Sequence, residues 1–246
     1  MADKKGRPFA VFDIDGTLIR WQLYHAIADT LVKLGFIAPV KFQAIKDARM
    51  AWKRREDSES FKRYEGQLVK LYSQIMKEIT PEQFERASEA VFQEYKDQVY
   101  IYTRALIDEL KNDGYLLFAI SGSQMEIVAK IAQYYEFDDY VGSTYLMKNG
   151  RYTGEAKLPF LHKDFALMKM VKKHQATRAE SLAVGDSLSD VKMLEKVEVP
   201  VAFNPEKKLF DYAKLKGWHI VIERKNMVYE LRNSGSGYEL VTTNAK

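Results

Sequence analysis

Near the start of the chain a short apolar run stops abruptly on charge: Phe9-Ala10-Val11-Phe12 is followed at once by Asp13-Ile14-Asp15-Gly16-Thr17-Leu18. Four consecutive apolar residues without polar alternation read as a strand buried on both faces, the kind found inside a parallel sheet. Carboxylates are rarely buried unless paired, so the strand ends here and a polar loop begins at its carboxyl end. In open parallel sheets that edge is where ligands bind. The first strand therefore predicts both an architecture and the place to look for chemistry.

The rest of the chain fits a sheet of this kind with one interruption. From Leu23 the apolar spacing turns helical: Leu23, Ile27, Leu31 and Leu34 share a face ahead of Gly35. Two more stripes follow, Phe42, Ile45, Ala48 and Trp52, then Phe61, Tyr64, Leu68, Leu71 and Ile75. Thr80-Pro81-Glu82-Gln83 combines an N-cap, a proline at the first helical position and a capping-box glutamine before Phe84, Ala87, Val91 and Tyr95. Residues 20–98 thus predict an all-helical insert. After it helix and strand alternate, as in βαβ units. Helices are expected at 103–113, around Ile127–Tyr135, at 163–174 and from Pro205; strands are expected at 115–120, 140–145, 181–184, 199–203 and 219–222. Asn149-Gly150 predicts a hairpin with a type I′ turn. The Ser-Gly-Ser-Gly stretch after Asn233 predicts a flexible tail over 233–246.

Composition narrows the chemistry. The 246 residues contain no cysteine, which excludes disulfides, thiolate metal sites and thiol nucleophiles, so a metal must be held by oxygen or imidazole. His25, His162, His174 and His219 lack metal-ligand spacing, and only His162, beside Lys163, is placed to border a site. There is no apolar run of about eighteen residues and no apolar h-region behind the charged start, so neither a membrane span nor a signal peptide is expected, and the default location is cytoplasmic. The net charge of +4 arises from 38 basic and 34 acidic residues dispersed along the chain, which suits an anionic small substrate as well as nucleic acid and decides nothing by itself. No nucleic-acid partner is expected. Lys53-Arg54-Arg55, followed by Glu56, Asp57 and Glu59, reads as a solvated helix end.

The polar residues after each predicted strand form a set: Asp13 and Asp15; Ser121-Gly122-Ser123; Lys163 at a helix start; Gly185-Asp186-Ser187 with Asp190. Four carboxylates, a hydroxyl, a lysine and glycine-flanked amides at one sheet edge suit a hard divalent cation such as Mg²⁺ and a phosphate group. Taken singly, each has a plain structural explanation: Asp15-Gly16-Thr17 as a turn, Ser121 as a helix cap, Lys163 as a solvated helix residue, Asp186-Ser187 as a βα turn.

In order and spacing these four segments resemble the haloacid dehalogenase (HAD) superfamily, in particular its phosphoserine-phosphatase-like branch with a helical cap of the C1 type. The resemblance runs from Phe9 to about Glu223. It implies an α/β fold, a Rossmann-like doubly wound parallel sheet formed by residues 1–19 and 99–232, with 20–98 as the inserted helical cap. It also implies a Mg²⁺-dependent phosphoric monoester hydrolase acting on a small phosphorylated metabolite. Asp13 is then the nucleophile and Asp15 the general acid and base. Ser121, the Gly122 amide and Lys163 bind the phosphoryl oxygens. Asp13, the Asp15 carbonyl and Asp186 hold the metal, and Asp190 acts through water or by orienting a ligand. A phosphotransferase, a phosphatase for protein or lipid head groups, and a weakly catalytic binder of anionic metabolites remain as alternatives.

The cap departs from the phosphoserine pattern. Gln22 stands where phosphoserine phosphatases carry a glutamate for the substrate's amino group, and an apolar position near Leu71 where they carry an arginine for its carboxylate. Phosphoserine is therefore not the expected substrate. Trp21, Gln22 and Tyr24 are expected to line a more aromatic entrance.

Overall fold

The computed structural model describes residues 6–57, 59–235 and 237–242. The chain divides into two compact units: 1–22, 95–143 and 158–246 form the first, 23–94 and 144–157 the second.

In the first unit, β1 (Pro8–Phe12) lies between β2 (Leu116–Gln124) and β5 (Thr177–Gly185), parallel to both. Its other four residues being apolar and enclosed, only Pro8 at its start is partly exposed. Beyond β5 the sheet continues through β6 (Val199–Phe203) and β7 (His219–Arg224), again parallel, and on the other side the first part of β3 (Asp139–Lys148) pairs with β2. Helices α5 (Ile101–Asn112), α6 (Met125–Tyr134), α7 (Lys163–His174), α8 (Val191–Leu194) and α9 (Lys207–Lys216) connect the strands. The core gathers Phe9, Val11, Phe118, Ile120, Ala183 and Ile220 from the strands with Leu167, Met193 and Leu209 from the helices. Phe9 and Phe118 stack at 5.6 Å. This is the α/β, Rossmann-like arrangement expected from the sequence, and α7 and β6 have the bounds read there.

The second unit holds α1 (Leu23–Lys33), α2 (Pro39–Lys53), α3 (Ser60–Ile75) and α4 (Pro81–Tyr95). The expected faces are buried at Leu23, Ile27, Leu31, Phe42, Ile45, Tyr64, Leu68, Ile75, Phe84 and Val91. Leu34 is an exception at 38% exposure, because α1 ends at Lys33 and the stripe does not extend past it. The capping box forms: Gln83 N donates to Thr80 Oγ1 at 3.3 Å and Thr80 N donates to Gln83 Oε1 at 2.9 Å. The hairpin of β3 with β4 (Arg151–Lys157) turns at Asn149 and Gly150, both at positive φ (52° and 74°), as a type I′ turn requires. The sequence reading placed this hairpin within 99–232; its residues 144–157 instead belong to the helical unit. There Tyr145 stacks on Tyr72 at 6.2 Å, and Tyr145 and Tyr152 both meet Phe84 edge-on. At Gly154 (φ +85°) a Cβ would lie 2.8 Å from Ser73 O, so the hairpin backbone approaches α3 as only glycine allows.

The expected flexible tail from Asn233 is also corrected. β8 (Met227–Asn233) and β9 (Tyr238–Thr242) extend the sheet antiparallel from β7. The Tyr238 hydroxyl reaches the carbonyls of Trp218 at 2.8 Å and Ala213 at 3.0 Å, which ties the last strand down. Residues 243–246 of the expected tail lie outside the described residues. Among the described residues no helix is long and apolar enough to cross a membrane.

Candidate active site

The site is built in the first unit at the carboxyl ends of β1, β2 and β5. After Phe12 the chain stays tied to the sheet, with Asp13 N donating to Val184 O at 3.0 Å. It then folds into a tight loop in which the amides of Leu18 and Ile19 donate to Ile14 O at 3.0 and 2.9 Å. Gly16 sits at φ +80°, and a Cβ on it would lie 2.3 Å from Asp186 Oδ2 and 3.3 Å from Gln22 Nε2. The glycine is thus needed for its conformation and for the close approach of the Asp186 carboxylate.

Lys163, at the first position of α7, is 2% exposed and donates to Asp13 Oδ1 at 2.7 Å and to Asp190 Oδ1 at 2.6 Å. Burial disfavours the ammonium, but the two carboxylates outweigh it and hold the Lys163 pKa above the ordinary lysine range. Asp190 is enclosed. Its second oxygen accepts the amides of Asp186 and Ser187 at 3.1 and 2.9 Å and the Ser187 hydroxyl at 3.1 Å, which fixes the turn that carries Asp186. Gly185 permits this, since a Cβ there would meet Asp190 Cβ at 2.5 Å. Both Asp190 oxygens are thus engaged, one by Lys163 and the other by the turn at 186–187.

Candidate ligand oxygens of Asp13, Asp186 and Asp190 lie within 4.8 Å of one another. Burial, with the Asp190 and Asp15 charges adding and Lys163 opposing, pushes the Asp13 carboxyl up to about 7. Burial and the Asp13 and Asp190 charges likewise raise Asp186 well above the usual carboxylate range. One ammonium does not balance this much buried negative charge, and an all-oxygen donor set in need of positive charge fits a hard divalent cation.

Asp15 faces β2. Ser121 Oγ donates to Asp15 Oδ2 at 2.6 Å and Ser123 Oγ to Asp15 Oδ1 at 2.9 Å, and the Ser123 amide donates to Ser121 Oγ at 2.8 Å. Gly122 lies between the two serines, its carbonyl accepting the Ser143 hydroxyl at 2.6 Å.

The structure thus gathers Asp13, Asp15, Ser121, Gly122, Lys163, Asp186 and Asp190 at one sheet edge, with the Gln22 carboxamide close to Gly16. Trp21 is half-buried in the same unit. Tyr24 belongs to the second unit, where its ring lies 4.3 Å from that of Tyr72 and its carbonyl accepts the Tyr72 hydroxyl at 2.7 Å. Buried Leu71 is in that unit too. His162 is exposed, its ring edge-on to Phe165. Sequence reasoning included Ser123 in the strand-end set without giving it a role, although a Ser-x-Ser pair on a strand places two hydroxyls on one face. It missed Glu206, whose amide donates to Asp186 O and whose carboxylate accepts the Leu188 amide, both at 2.9 Å.

Several proteins of known name or structure are similar to this chain. A phosphoserine phosphatase of Lactococcus lactis is 31% identical over 101 residues, 40% of this chain and 47% of that protein, so the matched region spans about half of the relative's length. A histidinol-phosphatase of Neisseria meningitidis is 26% identical over 230 residues, 86% of this chain and 97% of the relative. The crystal structure of a Bordetella pertussis protein of unknown function superposes with a TM-score of 0.72 at 20% identity, covering 89% of this chain and 99% of that one, which supports the fold. Residues 10–195 match the family described as haloacid dehalogenase-like hydrolase, a stretch that holds Asp13, Asp15, Asp186 and Asp190, and the chain belongs to that family.

Proposed function

We propose that the protein hydrolyses a small phosphomonoester through a phosphorylated Asp13. The observation that carries this reading is the placement of two buried carboxylates two residues apart with different partners: Asp13 on the Lys163 ammonium beside Asp186, and Asp15 on the hydroxyls of β2. A site for holding an anion has no use for the second aspartate; a site that must attack phosphorus and manage a proton has.

In this reading an Asp13 oxygen attacks phosphorus, and the bond from phosphorus to the ester oxygen breaks as Asp15 delivers a proton to that oxygen. Asp15, now a carboxylate, accepts a proton from the water that attacks the aspartyl-phosphate. Inorganic phosphate leaves and the starting protonation is restored. Ser121, the Gly122 amide and Lys163 hold the phosphoryl oxygens while their charge redistributes. Asp13, Asp186 and the Asp15 carbonyl would hold Mg²⁺, which would supply the positive charge that lets an anionic nucleophile approach a phosphate dianion. Asp190 keeps Asp186 and Lys163 in place.

The helical unit serves as the cap that selects the substrate. The relatives named above act on phosphoserine and histidinol phosphate. Gln22 offers a neutral amide where an ammonium-bearing substrate calls for a carboxylate, and an unpaired buried charge weakens recognition by roughly 2–5 kcal/mol. A phosphorylated alcohol or a small aromatic-bearing ester therefore fits better than phosphoserine.

The test is hydrolysis of p-nitrophenyl phosphate by the purified protein with Mg²⁺ and with EDTA, beside Asp13→Asn shown to be folded by its thermal transition. Activity that needs Mg²⁺ and Asp13 is expected. Wild-type turnover in Asp13→Asn would refute the nucleophile, and no turnover in the wild type would favour a binder of anionic metabolites.

A further inference from the structure

The two serines of β2 differ in what the reaction asks of them. Being two residues apart on a strand, Ser121 and Ser123 present their side chains to the same face, and both donate to Asp15, one to each carboxylate oxygen. All three groups are enclosed: Ser121 is 0%, Ser123 1% and Asp15 8% exposed. A hydroxyl has one proton to donate. The proton Ser121 gives to Asp15 Oδ2 cannot at the same time hold a phosphoryl oxygen, so if Ser121 turns to the phosphoryl group it releases Oδ2. That release suits the chemistry, because Oδ2 then becomes the oxygen able to carry the proton for the leaving group. It also removes one of the two hydroxyls that fix the rotation of the carboxyl group.

We infer that Ser123 is the positioning residue for Asp15: its hydroxyl keeps hold of Oδ1 and so keeps Oδ2 aimed at the leaving-group oxygen after Ser121 has turned away. The Ser123 amide, donating to Ser121 Oγ at 2.8 Å, links the two serines and sets the starting position of the hydroxyl that must move. Ser123 itself touches no reacting atom; it acts through Asp15. The inference rests on the phosphatase reading above and adds to it a residue that governs proton delivery alone.

That restriction supplies the test. Steady-state kcat/KM reports the steps up to departure of the leaving group, so it reads proton donation by Asp15 without the later hydrolysis of the phosphoenzyme. Wild type and Ser123→Ala are compared on 2,4-dinitrophenyl, p-nitrophenyl and phenyl phosphate, whose leaving groups need progressively more help from a proton. A general acid contributes about 10²–10⁴-fold, and a misaimed one loses part of that. Ser123→Ala is expected to keep kcat/KM within about two-fold of wild type on the dinitrophenyl ester and to lose about 10- to 100-fold on phenyl phosphate. In an Asp15→Asn background the same substitution is expected to change neither value, since the group it positions is already disabled. Ser123→Thr, which keeps the hydroxyl, is expected to retain the wild-type ratio between the two esters, and it serves as the readout if the alanine variant is not stably folded. An equal loss on all three esters, or a full additional loss in the Asp15→Asn background, would overturn the inference and leave Ser123 a packing residue. Failure of the wild type on every ester would instead defeat the phosphatase reading beneath it.

Discussion

Replacing Gly16 by alanine perturbs the site at one atom and separates its two demands on that position. At φ +80° an alanine occupies the left-handed region, at a cost of about 1–2 kcal/mol. In a chain of this length that lowers Tm by about 2–8 °C. The second effect is local. The new Cβ would stand 2.3 Å from Asp186 Oδ2 and 3.0 Å from its Cγ, where about 3.4 Å is ordinary contact, so the carboxylate must recede by roughly 1 Å. If Asp186 holds Mg²⁺, metal at 100 times its dissociation constant stabilises the wild type by about 2.7 kcal/mol. Misplacing a ligand by this much weakens binding by about 10- to 100-fold, which leaves only about 0.4–1.4 kcal/mol at the same Mg²⁺ concentration. Thermal unfolding of both proteins, in EDTA and across a Mg²⁺ titration, measures the two effects separately. Gly16→Ala should be slightly less stable without metal and should lose most of the Mg²⁺-induced rise. A variant with the lower Tm but the full wild-type rise would show that the Asp186 carboxylate is not part of the metal's binding set.

Two other perturbations follow from buried charge. His25 sits among Tyr24, Phe61 and Tyr64 in the helical unit, with no hydrogen-bond partner for Nδ1, and burial, aided by the Arg49 charge, lowers its pKa to about 3. The unfolded chain takes up the proton near 6.5 and the folded chain does not, so the stability His25 contributes is complete above that pH and declines as pH falls toward 3. The loss is about 2 kcal/mol at pH 5, and His25→Phe should flatten that part of the denaturation profile relative to wild type; parallel profiles would refute the assignment. Lys163→Met leaves Asp13 and Asp190 without their shared ammonium and should destabilise by about 3–5 kcal/mol at pH 8. The penalty should shrink at pH 5, because Asp13, already raised to about 7, is then protonated and needs no counter-charge. Equal penalties at the two pH values in urea unfolding would contradict this.

Much of the fold was legible because its signals are local. The unbroken apolar runs at Phe9–Phe12 and Val199–Phe203 have one reading, and the Thr80–Gln83 box and the Asn149-Gly150 turn each specify a backbone geometry that four residues determine alone. The placement of residues 144–157 was not legible. Pairing of β3 with β4 follows from the turn, whereas membership of the helical unit depends on Tyr145 and Tyr152 meeting Tyr72 and Phe84, contacts made across long stretches of sequence. The last two strands were missed for a related reason. Ser-Gly-Ser-Gly reads as a loose end, while what holds Tyr238 is a pair of carbonyls about twenty residues earlier. In the site, the acidic residues and Lys163 could be read as strand-end polar groups. Ser123 was given no role because one serine sufficed for the motif, and the engagement of both Asp190 oxygens depends on contacts that the sequence does not show.

The central claim is that Asp13 carries the phosphoryl group, and it is tested most directly by trapping that state. Asp15→Asn is incubated with Mg²⁺ and 2,4-dinitrophenyl phosphate, whose leaving group departs without a proton, and is then analysed by intact mass and peptide mapping after rapid acid quench. The account predicts a stoichiometric gain of one phosphoryl group, located on the peptide containing Asp13 and absent from Asp13→Asn. A phosphoryl group on another residue, or none at all while the wild type turns the ester over, would contradict it.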